Sequence, residues 1–127
     1  MPRRVIGTTS APQPIGPYSQ GIMVDGFLFV SGQGALDPSS GRLVGADIES
    51  QTRQTLTNVR SIVEASGLSI RDLVKVSVYL KNMNDFKKMN EVYQSFFGEA
   101  APARTTVQVE LPRRDMLIEV DAVAHRG

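Results

Sequence analysis

Two polar groups near the C-terminus have side chains suited to chemistry on a small anion. The first is Arg104, followed two residues later by the hydroxyl of Thr106. The second is the carboxylate of Glu119. A guanidinium can hold a carboxylate through two parallel hydrogen bonds, and a carboxylate can orient a water or move a proton. These residue types are therefore compatible with a site for an anionic small molecule.

Both groups lie in runs that alternate apolar and polar residues, residues 102–111 and 116–124, as half-buried strands do. The short interval between the runs predicts a β-hairpin. An antiparallel register centred on that interval sets Thr106 opposite Glu119 and Arg104 opposite Asp121, all on one sheet face. Two interpretations of Arg104 follow, namely an ion pair with Asp121 on a solvated sheet or an anion-binding group.

Two loops and one helix carry further candidate residues. Residues 10–17 include three prolines, which donate no amide hydrogen, so this stretch is a restricted loop leading into Tyr18. At Ser31 and Gly32 a strand is interrupted, which indicates either a β-bulge or backbone amides open to an anion. Asn90 lies within an apolar helical stripe, where it is either satisfied by protein contacts or available to a ligand.

The remaining chain predicts the elements that position these residues. The dipeptide Asp25-Gly26 favours a hairpin turn between two short strands. Asp47 as an N-cap and Gly67 as a stop delimit one helix, and a second helix runs from about residue 84 to 97. Alternation over residues 74–80 predicts a strand, and residues 5–9 predict another. Residues 1–127 are thus expected to form a single α+β domain, a mixed β-sheet with two helices on one face.

Composition narrows the function classes. The chain has 127 residues, 41% hydrophobic and 21% charged, which is typical of a soluble globular domain. It has no cysteine and one histidine, so neither a thiolate site nor a metal site is expected. A formal net charge of +1 gives no reason to expect a nucleic-acid partner. Without a membrane-length apolar run or a secretory signal core, we expect a cytoplasmic protein with no membrane association.

Two helices can cover only one side of the predicted sheet. The other side is expected to carry apolar groups among charged ones. Such a face is too mixed to be exposed to water and too polar to form a core within one subunit. The residues assigned to it are Tyr79, Thr106, Leu117 and Val123. Self-association would cover such a face.

The ordered set of motifs along the chain resembles the RidA (YjgF) family over nearly its full length. The motifs are Ile15-Gly16-Pro17-Tyr18-Ser19-Gln20, Ser31-Gly32-Gln33, Asn58-Val59 with Gly67-Leu68, Asn84-Asp85-Phe86 with Asn90 and Tyr93, Pro102-Ala103-Arg104-Thr105 and Ile118-Glu119-Val120-Asp121-Ala122-Val123-Ala124. The resemblance implies a chorismate-mutase-like, RidA-like fold. It also implies a homotrimer with its helices outside and its ligand sites in clefts between subunits.

The same resemblance implies a hydrolase, a deaminase that converts 2-iminopropanoate (2-aminoacrylate) and 2-iminobutanoate to 2-keto acids and ammonia without a cofactor. Arg104 matches the family's carboxylate-binding residue, and Glu119 and Tyr18 match positions that place water or move protons. Ser31 and Gly32 match the loop lining the pocket. Asn90 matches a residue that reaches in from a neighbouring subunit.

One departure from the family pattern concerns Thr106, which stands where many bacterial members have cysteine. A thiolate nucleophile is therefore excluded, and Thr106 supplies either a hydroxyl contact or only pocket shape. Two other functions remain as alternatives. Some relatives are described as endoribonucleases or translation inhibitors, which the single histidine and few aromatic residues disfavour. A non-catalytic protein that binds small carboxylates would use the same arginine.

Overall fold

The computed structural model describes residues 2–127, which form an α+β fold around one six-stranded sheet. Its strands are β1 (Arg4–Ile6), β2 (Gly21–Val24), β3 (Phe27–Gln33), β4 (Leu73–Leu80), β5 (Ala103–Gln108) and β6 (Ile118–His125). The strand order is β1-β2-β3-β6-β4-β5. β4 and β5 are parallel, while the other neighbours are antiparallel, which confirms the mixed sheet.

The β2–β3 turn and the two helices follow the local signals in the sequence. Asp25 and Gly26 have φ angles of 51° and 81°, the left-handed conformation that a two-residue hairpin turn requires. Helix α1 (Ile48–Ala65) begins after Asp47, whose carboxylate accepts a hydrogen bond from the Ser50 amide at 2.9 Å. Helix α2 (Phe86–Phe97) follows a short 3₁₀ turn and ends at Gly98. No helix within residues 2–127 is long and apolar enough to cross a membrane.

One core fills the space between the helices and one face of the sheet. The sheet contributes alternate residues of its three central strands: Leu28, Val30, Val76, Val78, Leu80, Ile118, Val120, Ala122 and Ala124. Both helices contribute one apolar side each: Leu56, Val59, Ile62 and Val63 from α1, and Met89, Tyr93 and Phe97 from α2. Burying each large apolar side chain contributes about 1.5 to 3 kcal/mol, so this face of the sheet is fixed towards the helices.

The hairpin predicted from residues 102–124 is wrong, because β4 lies between β5 and β6. Helix α2 connects β4 to β5, and such a crossover returns the chain parallel to the strand it left. Residues 109–117 then carry the chain past β4, so that β6 pairs with the other side of β4. The alternation in both runs correctly identified two strands, but alternation contains no information about which strand is the neighbour.

The observed register separates the residues that the predicted hairpin had placed together. Arg104 pairs with Val76 and therefore points towards the helices, whereas Asp121 pairs with Ser77 on the opposite, open face. The expected opposition of Arg104 to Asp121 is wrong, and so is that of Thr106 to Glu119. Thr106 also faces the helices, because its partner is the buried Val78.

The open face of the sheet, which neither α1 nor α2 covers, carries several large apolar side chains. Phe27 and Phe29 of β3 are 41% and 47% exposed, and Val107 of the edge strand β5 is 39% exposed. Tyr79 and Val123 also lie on this face, whereas Leu117 packs against the core instead. A sheet face that exposes several large apolar side chains among polar ones is expected to bind another surface.

Candidate functional site

The predicted site residues fall into two groups on opposite sides of the sheet. On the open face lies the Glu119 cleft, of about 420 Å³, lined by Ile15, Tyr18, Ser31, Gly32, Pro112 and Glu119. Beside α2 lies the Arg104 cleft, of about 460 Å³, lined by Asn90, Tyr93, Gln94, Gly98, Ala101, Pro102 and Arg104. The structure therefore groups Tyr18, Ser31, Gly32 and Glu119 together, and separates them from Asn90, Arg104 and Thr106.

A β-bulge shapes the Glu119 cleft. Val30 pairs with Ala122 but Gln33 pairs with Val120, so β3 has one more residue than β6 between these pairs. The bulge, one of the two possibilities raised by the sequence, brings Gly32 against the Glu119 side chain. A Cβ atom on Gly32 would lie only 2.9 Å from Glu119 Cδ, so a larger residue would fit there only if the Glu119 side chain moved aside.

Ser31 joins the bulge to the proline-containing loop. Its hydroxyl donates to the Ser19 carbonyl at 2.6 Å, and its amide donates to the Gln20 carbonyl at 2.9 Å. The Tyr18 ring is 47% exposed at the cleft, and its hydroxyl accepts a long hydrogen bond of 3.4 Å from the Ile15 amide. The phenol is thus held next to the Glu119 cleft while remaining accessible to a ligand.

The loop that carries Tyr18 is held by Gln20, a buried residue whose role the sequence analysis missed. Gln20 Nε2 donates to the carbonyls of Thr8, Ala11 and Pro12 at 3.1, 3.2 and 2.7 Å. Its Oε1 accepts from the Thr8 amide at 2.7 Å. A single buried side chain therefore satisfies several backbone groups of a loop that forms no strand or helix of its own.

Two more buried amides, on α1, tie down the other segments around the cleft. Gln51 donates to the Asp115 carbonyl at 3.0 Å and accepts from the Leu117 amide at 2.8 Å, just before β6. Asn58 donates to the Gly34 carbonyl at 3.0 Å, just after the bulge. Both residues lie on the buried side of α1, so polar residues at apolar stripe positions were the signal that could have revealed them.

The electrostatics of the open face raise the pKa of Glu119. Burial is the main cause that raises the pKa of Glu119, and the nearby charge of Asp121 raises it further. Asp121 accepts a hydrogen bond of 2.9 Å from the Tyr79 hydroxyl, and this bond is the main cause that raises the pKa of Tyr79. Glu119 is therefore better suited to donate a proton near neutral pH than a fully solvated glutamate.

The Arg104 cleft combines a free cation with unused hydrogen-bonding atoms. Within residues 2–127, no carboxylate oxygen lies within 4.0 Å of the Arg104 guanidinium. Three buried polar atoms in this region have no hydrogen-bond partner among those same residues: Asn90 Oδ1, Tyr93 Oη and Thr106 Oγ1. Buried polar atoms are rarely left unpaired in proteins, so this cluster is consistent with a site for a polar ligand.

Two aromatic residues complete the surroundings of Arg104. Its Cζ lies 4.7 Å from the centroid of the Tyr93 ring and 5.6 Å from that of Phe86. The sequence analysis named both residues only as members of a family motif. Their spacing of seven residues, two turns of α2, was the signal that they share a face with Asn90.

The fold and the two clefts described above are those of an α+β domain with candidate site residues on both sides of a single sheet. Residues 8–126 match the family described as Endoribonuclease L-PSP. A RutC family protein from Pyrococcus horikoshii is 53% identical over 124 residues, covering 98% of both chains. The present chain therefore belongs to the Endoribonuclease L-PSP family, which confirms the resemblance to the RidA proteins.

Two other relatives carry information about ligands. A Mus musculus protein named 2-iminobutanoate/2-iminopropanoate deaminase is 43% identical over 125 residues, covering 98% of this chain and 93% of the mouse protein. Among solved structures, E. coli TdcF with bound serine has a TM-score of 0.92 and 42% identity, covering 98% of this chain and 99% of TdcF. The fold is thus one in which a relative binds a small amino acid.

Proposed function

We propose that this protein is a hydrolase that deaminates 2-imino acids, converting 2-iminopropanoate and 2-iminobutanoate to the corresponding 2-keto acids and ammonia. The observation that carries the proposal is the Arg104 guanidinium, which no acidic side chain neutralises and which lines a cleft with unpaired buried polar atoms. A 2-imino acid has a carboxylate next to the reacting carbon, so binding that carboxylate also orients the carbon. The mouse relative named for this activity supports the substrate class.

The placement of the two clefts supports a site formed between subunits. Arg104 and Glu119 lie on opposite faces of one sheet, so they cannot both contact one small substrate within a chain. Packing the open face of one subunit against the β5 edge of the next would bring an Arg104 cleft to a Glu119 cleft. It would also cover Phe27 and Phe29. We propose a homotrimer with three such sites, the smallest ring beyond a dimer.

In this site the reaction needs a water and one group that relays protons between that water and the imine nitrogen. Arg104 holds the substrate carboxylate, and Glu119, protonated, donates its proton to the imine nitrogen while water adds to the imine carbon. The resulting Glu119 carboxylate takes a proton from the adding water and passes it to the amino nitrogen. It then takes the proton of the remaining hydroxyl as the carbon–nitrogen bond breaks. Ammonia and the 2-keto acid leave, and Glu119 is protonated again. The space that holds the water is enclosed by Tyr18, Ser31 and Gly32.

The alternative activity, cleavage of RNA, finds less support in the two clefts. Ribonuclease chemistry commonly relies on paired acid–base groups such as histidines. The single histidine, His125, packs against the Phe27 ring with centroids 4.4 Å apart and lines neither cleft. The net charge of +1 also gives little overall attraction for a nucleic acid.

The decisive experiment supplies the unstable substrate in place. A pyridoxal-phosphate-dependent dehydratase acting on serine generates 2-aminoacrylate, and lactate dehydrogenase reports pyruvate as it appears. We expect the protein to raise the rate of pyruvate formation well above the spontaneous rate. No acceleration, together with salt-sensitive cleavage of a model RNA, would contradict the proposal and favour the ribonuclease. No turnover but measurable binding of 2-keto acids would indicate the non-catalytic alternative.

The matched variant for this experiment is Arg104→Ala. We expect the fold to persist while kcat/KM falls by roughly 10² to 10⁴, since a charge-assisted, two-point contact in a cleft is lost. Arg104→Lys should restore little activity, because an ammonium offers a point charge without the planar fork. Near-native hydrolysis by Arg104→Ala would remove Arg104 from the site and leave it as a packing residue beside α2.

A further inference from the structure

The way Arg104 is held differs from the way most partly buried arginines are held. Such groups are usually paired with a carboxylate, which also neutralises them. Here the guanidinium carbon lies above two aromatic rings of α2 instead, 4.7 Å from the Tyr93 centroid and 5.6 Å from that of Phe86. Contact through a ring face uses none of the guanidinium's N–H donors. The rings therefore support the cation and leave its hydrogen-bonding edge unused.

The two rings differ in how firmly they are fixed. Tyr93 is only 6% exposed and packs against the Phe97 ring, with centroids 4.5 Å apart. Phe86 is 37% exposed and begins α2, directly after a 3₁₀ turn. Tyr93 is thus a rigid part of the core, whereas Phe86 lies at its rim.

We propose, resting on the proposed function, that Phe86 and Tyr93 are positioning residues that hold the Arg104 guanidinium ready for the substrate carboxylate. An arginine side chain has a long flexible stem, and ordering it when a ligand binds reduces affinity. A support already present in the free protein removes part of that loss. Because the support is aromatic and not acidic, the positive charge stays available to the carboxylate instead of being neutralised by the protein.

The choice of aromatic support has a consequence for the ligand class. An acid paired with Arg104 would compete with the substrate carboxylate and would have to be displaced on every binding event. Aromatic rings offer no such competition, and the unpaired atoms of Asn90 and Thr106 lie in the same region for the remaining polar atoms of a ligand. The arrangement fits a small 2-oxo or 2-imino carboxylate in preference to an uncharged analogue.

The test measures binding of pyruvate to the whole protein by isothermal titration calorimetry, which requires no turnover. We expect Phe86→Leu to weaken pyruvate binding by about 3- to 10-fold, which is the range for a partly exposed cation–π contact. Tyr93→Leu should weaken it by about 5- to 30-fold, as a more buried contact is lost. Tyr93→Phe keeps the ring but removes a hydroxyl of the Arg104 cleft, so it should weaken pyruvate binding less than Tyr93→Leu does.

Two controls separate positioning from general destabilisation. Phe96→Leu removes a ring from the same helix that lies against Arg60, at 5.1 Å, and not against Arg104. We expect it to leave pyruvate binding unchanged. In kinetics, the loss in Phe86→Leu should appear in KM, with kcat within about twofold, since the ground state and transition state share the carboxylate contact. Adding Phe86→Leu to Arg104→Ala should cause no further loss in kcat/KM.

Each outcome bears on the proposal. Because Tyr93→Leu removes core volume, its melting temperature is measured first, and if it does not fold then Phe86→Leu and the double variant carry the test alone. Native affinity in Phe86→Leu, or additive losses with Arg104→Ala, would overturn the positioning role. A loss of more than about tenfold in Tyr93→Phe would show that the hydroxyl, not the ring, is what matters. If the native protein neither binds pyruvate nor hydrolyses the imine, both the proposed function and this inference are wrong. If the protein hydrolyses the imine but loss of the Phe86 or Tyr93 ring has no effect, only this inference is wrong.

Discussion

At the level of single residues, Gly32 lies beside the Glu119 carboxyl group and leaves no room for a side chain of its own. A methyl group on Gly32 would lie 2.9 Å from Glu119 Cδ, which no ordinary contact permits. The obstructing atoms belong to the end of a flexible side chain, so the carboxyl group would move aside while the backbone stayed in place. A side chain at residue 32 should therefore reduce activity without preventing folding.

We accordingly expect Gly32→Ala to fold normally while kcat/KM for imine hydrolysis falls by about 10²-fold, because a displaced acid loses its alignment with the substrate. Gly7→Ala is a matched control, since a Cβ there meets only Gln20 Oε1 at 3.8 Å. Thermal unfolding and initial rates of both variants check the prediction. Unchanged activity in Gly32→Ala would mean that the present position of Glu119 is not needed.

A second residue-scale prediction concerns the dependence of activity on pH. The pKa of Glu119 is raised by burial and by the charge of Asp121. Asp121→Asn removes that charge, so the pKa of Glu119 should fall towards its ordinary value. If Glu119 must be protonated to act as the acid, activity declines as pH rises through this pKa, and in Asp121→Asn the decline should begin at lower pH. A pH profile of kcat/KM tests this, and a decline moved to higher pH would contradict the role of acid.

The sequence could identify the candidate residues but not their separation. Arg104, Glu119, Tyr18 and Asn90 were assigned from the family motifs, and side-chain chemistry explained why they were suitable. Their division between two sheet faces depends on β4 inserting between β5 and β6, which is a long-range event. The aromatic support of Arg104 was missed for the same reason, since a helical stripe predicts burial but not the group against which a ring packs.

At the level of elements, local sequence signals predicted turns and helix ends correctly, whereas they did not predict which strands pair. Asp25-Gly26 produced its hairpin because a two-residue turn is decided by the residues within it. Asp47 and Gly67 bounded α1 for similar reasons of local hydrogen bonding and backbone conformation. The prediction of a β5–β6 hairpin was wrong because the connecting residues do not form a tight turn. The long apolar strand β4 lies between β5 and β6 instead.

The loops around the Glu119 cleft depend on buried amides more than on their own sequence. Gln20 bonds to three carbonyls and one amide of the proline-containing loop. We expect Gln20→Leu to lower the free energy of unfolding by about 2 to 3 kcal/mol, because buried backbone groups lose their partners. The same loop carries Tyr18, so activity should fall as well. Urea unfolding and limited proteolysis within residues 7–17 would measure both effects.

A nearby glutamine provides the control for that prediction. Gln13 lies in the same loop and also donates to the Thr8 carbonyl, at 3.0 Å, but it is exposed. Gln13→Leu should change stability by less than about 0.5 kcal/mol, as most exposed substitutions do. If the two variants were equally destabilised, burial of the Gln20 amide would not be what holds the loop.

At the level of the whole molecule, the uncovered sheet face is the feature that most needs a partner. Exposed Phe27, Phe29 and Val107 lie on it together with the acidic residues Glu119 and Asp121. A surface of that mixed character resembles a subunit interface more than either a core or a solvated sheet. Sedimentation should therefore find a species near three times 13.9 kDa, and a stable monomer at micromolar concentration would contradict the shared site.

Because Arg104 and Glu119 lie on opposite faces of the sheet, defects in them should be able to complement each other. Mixed trimers assembled from Arg104→Ala and Glu119→Gln chains would contain some sites that take an intact arginine from one chain and an intact glutamate from its neighbour. Random exchange at equal amounts makes about a quarter of the sites whole, so two preparations that are each inactive should regain activity after joint refolding. The same mixture would stay inactive if both residues served a site within one chain. In that case, cells that express both variants together would also fail to regain growth when 2-imino acids accumulate.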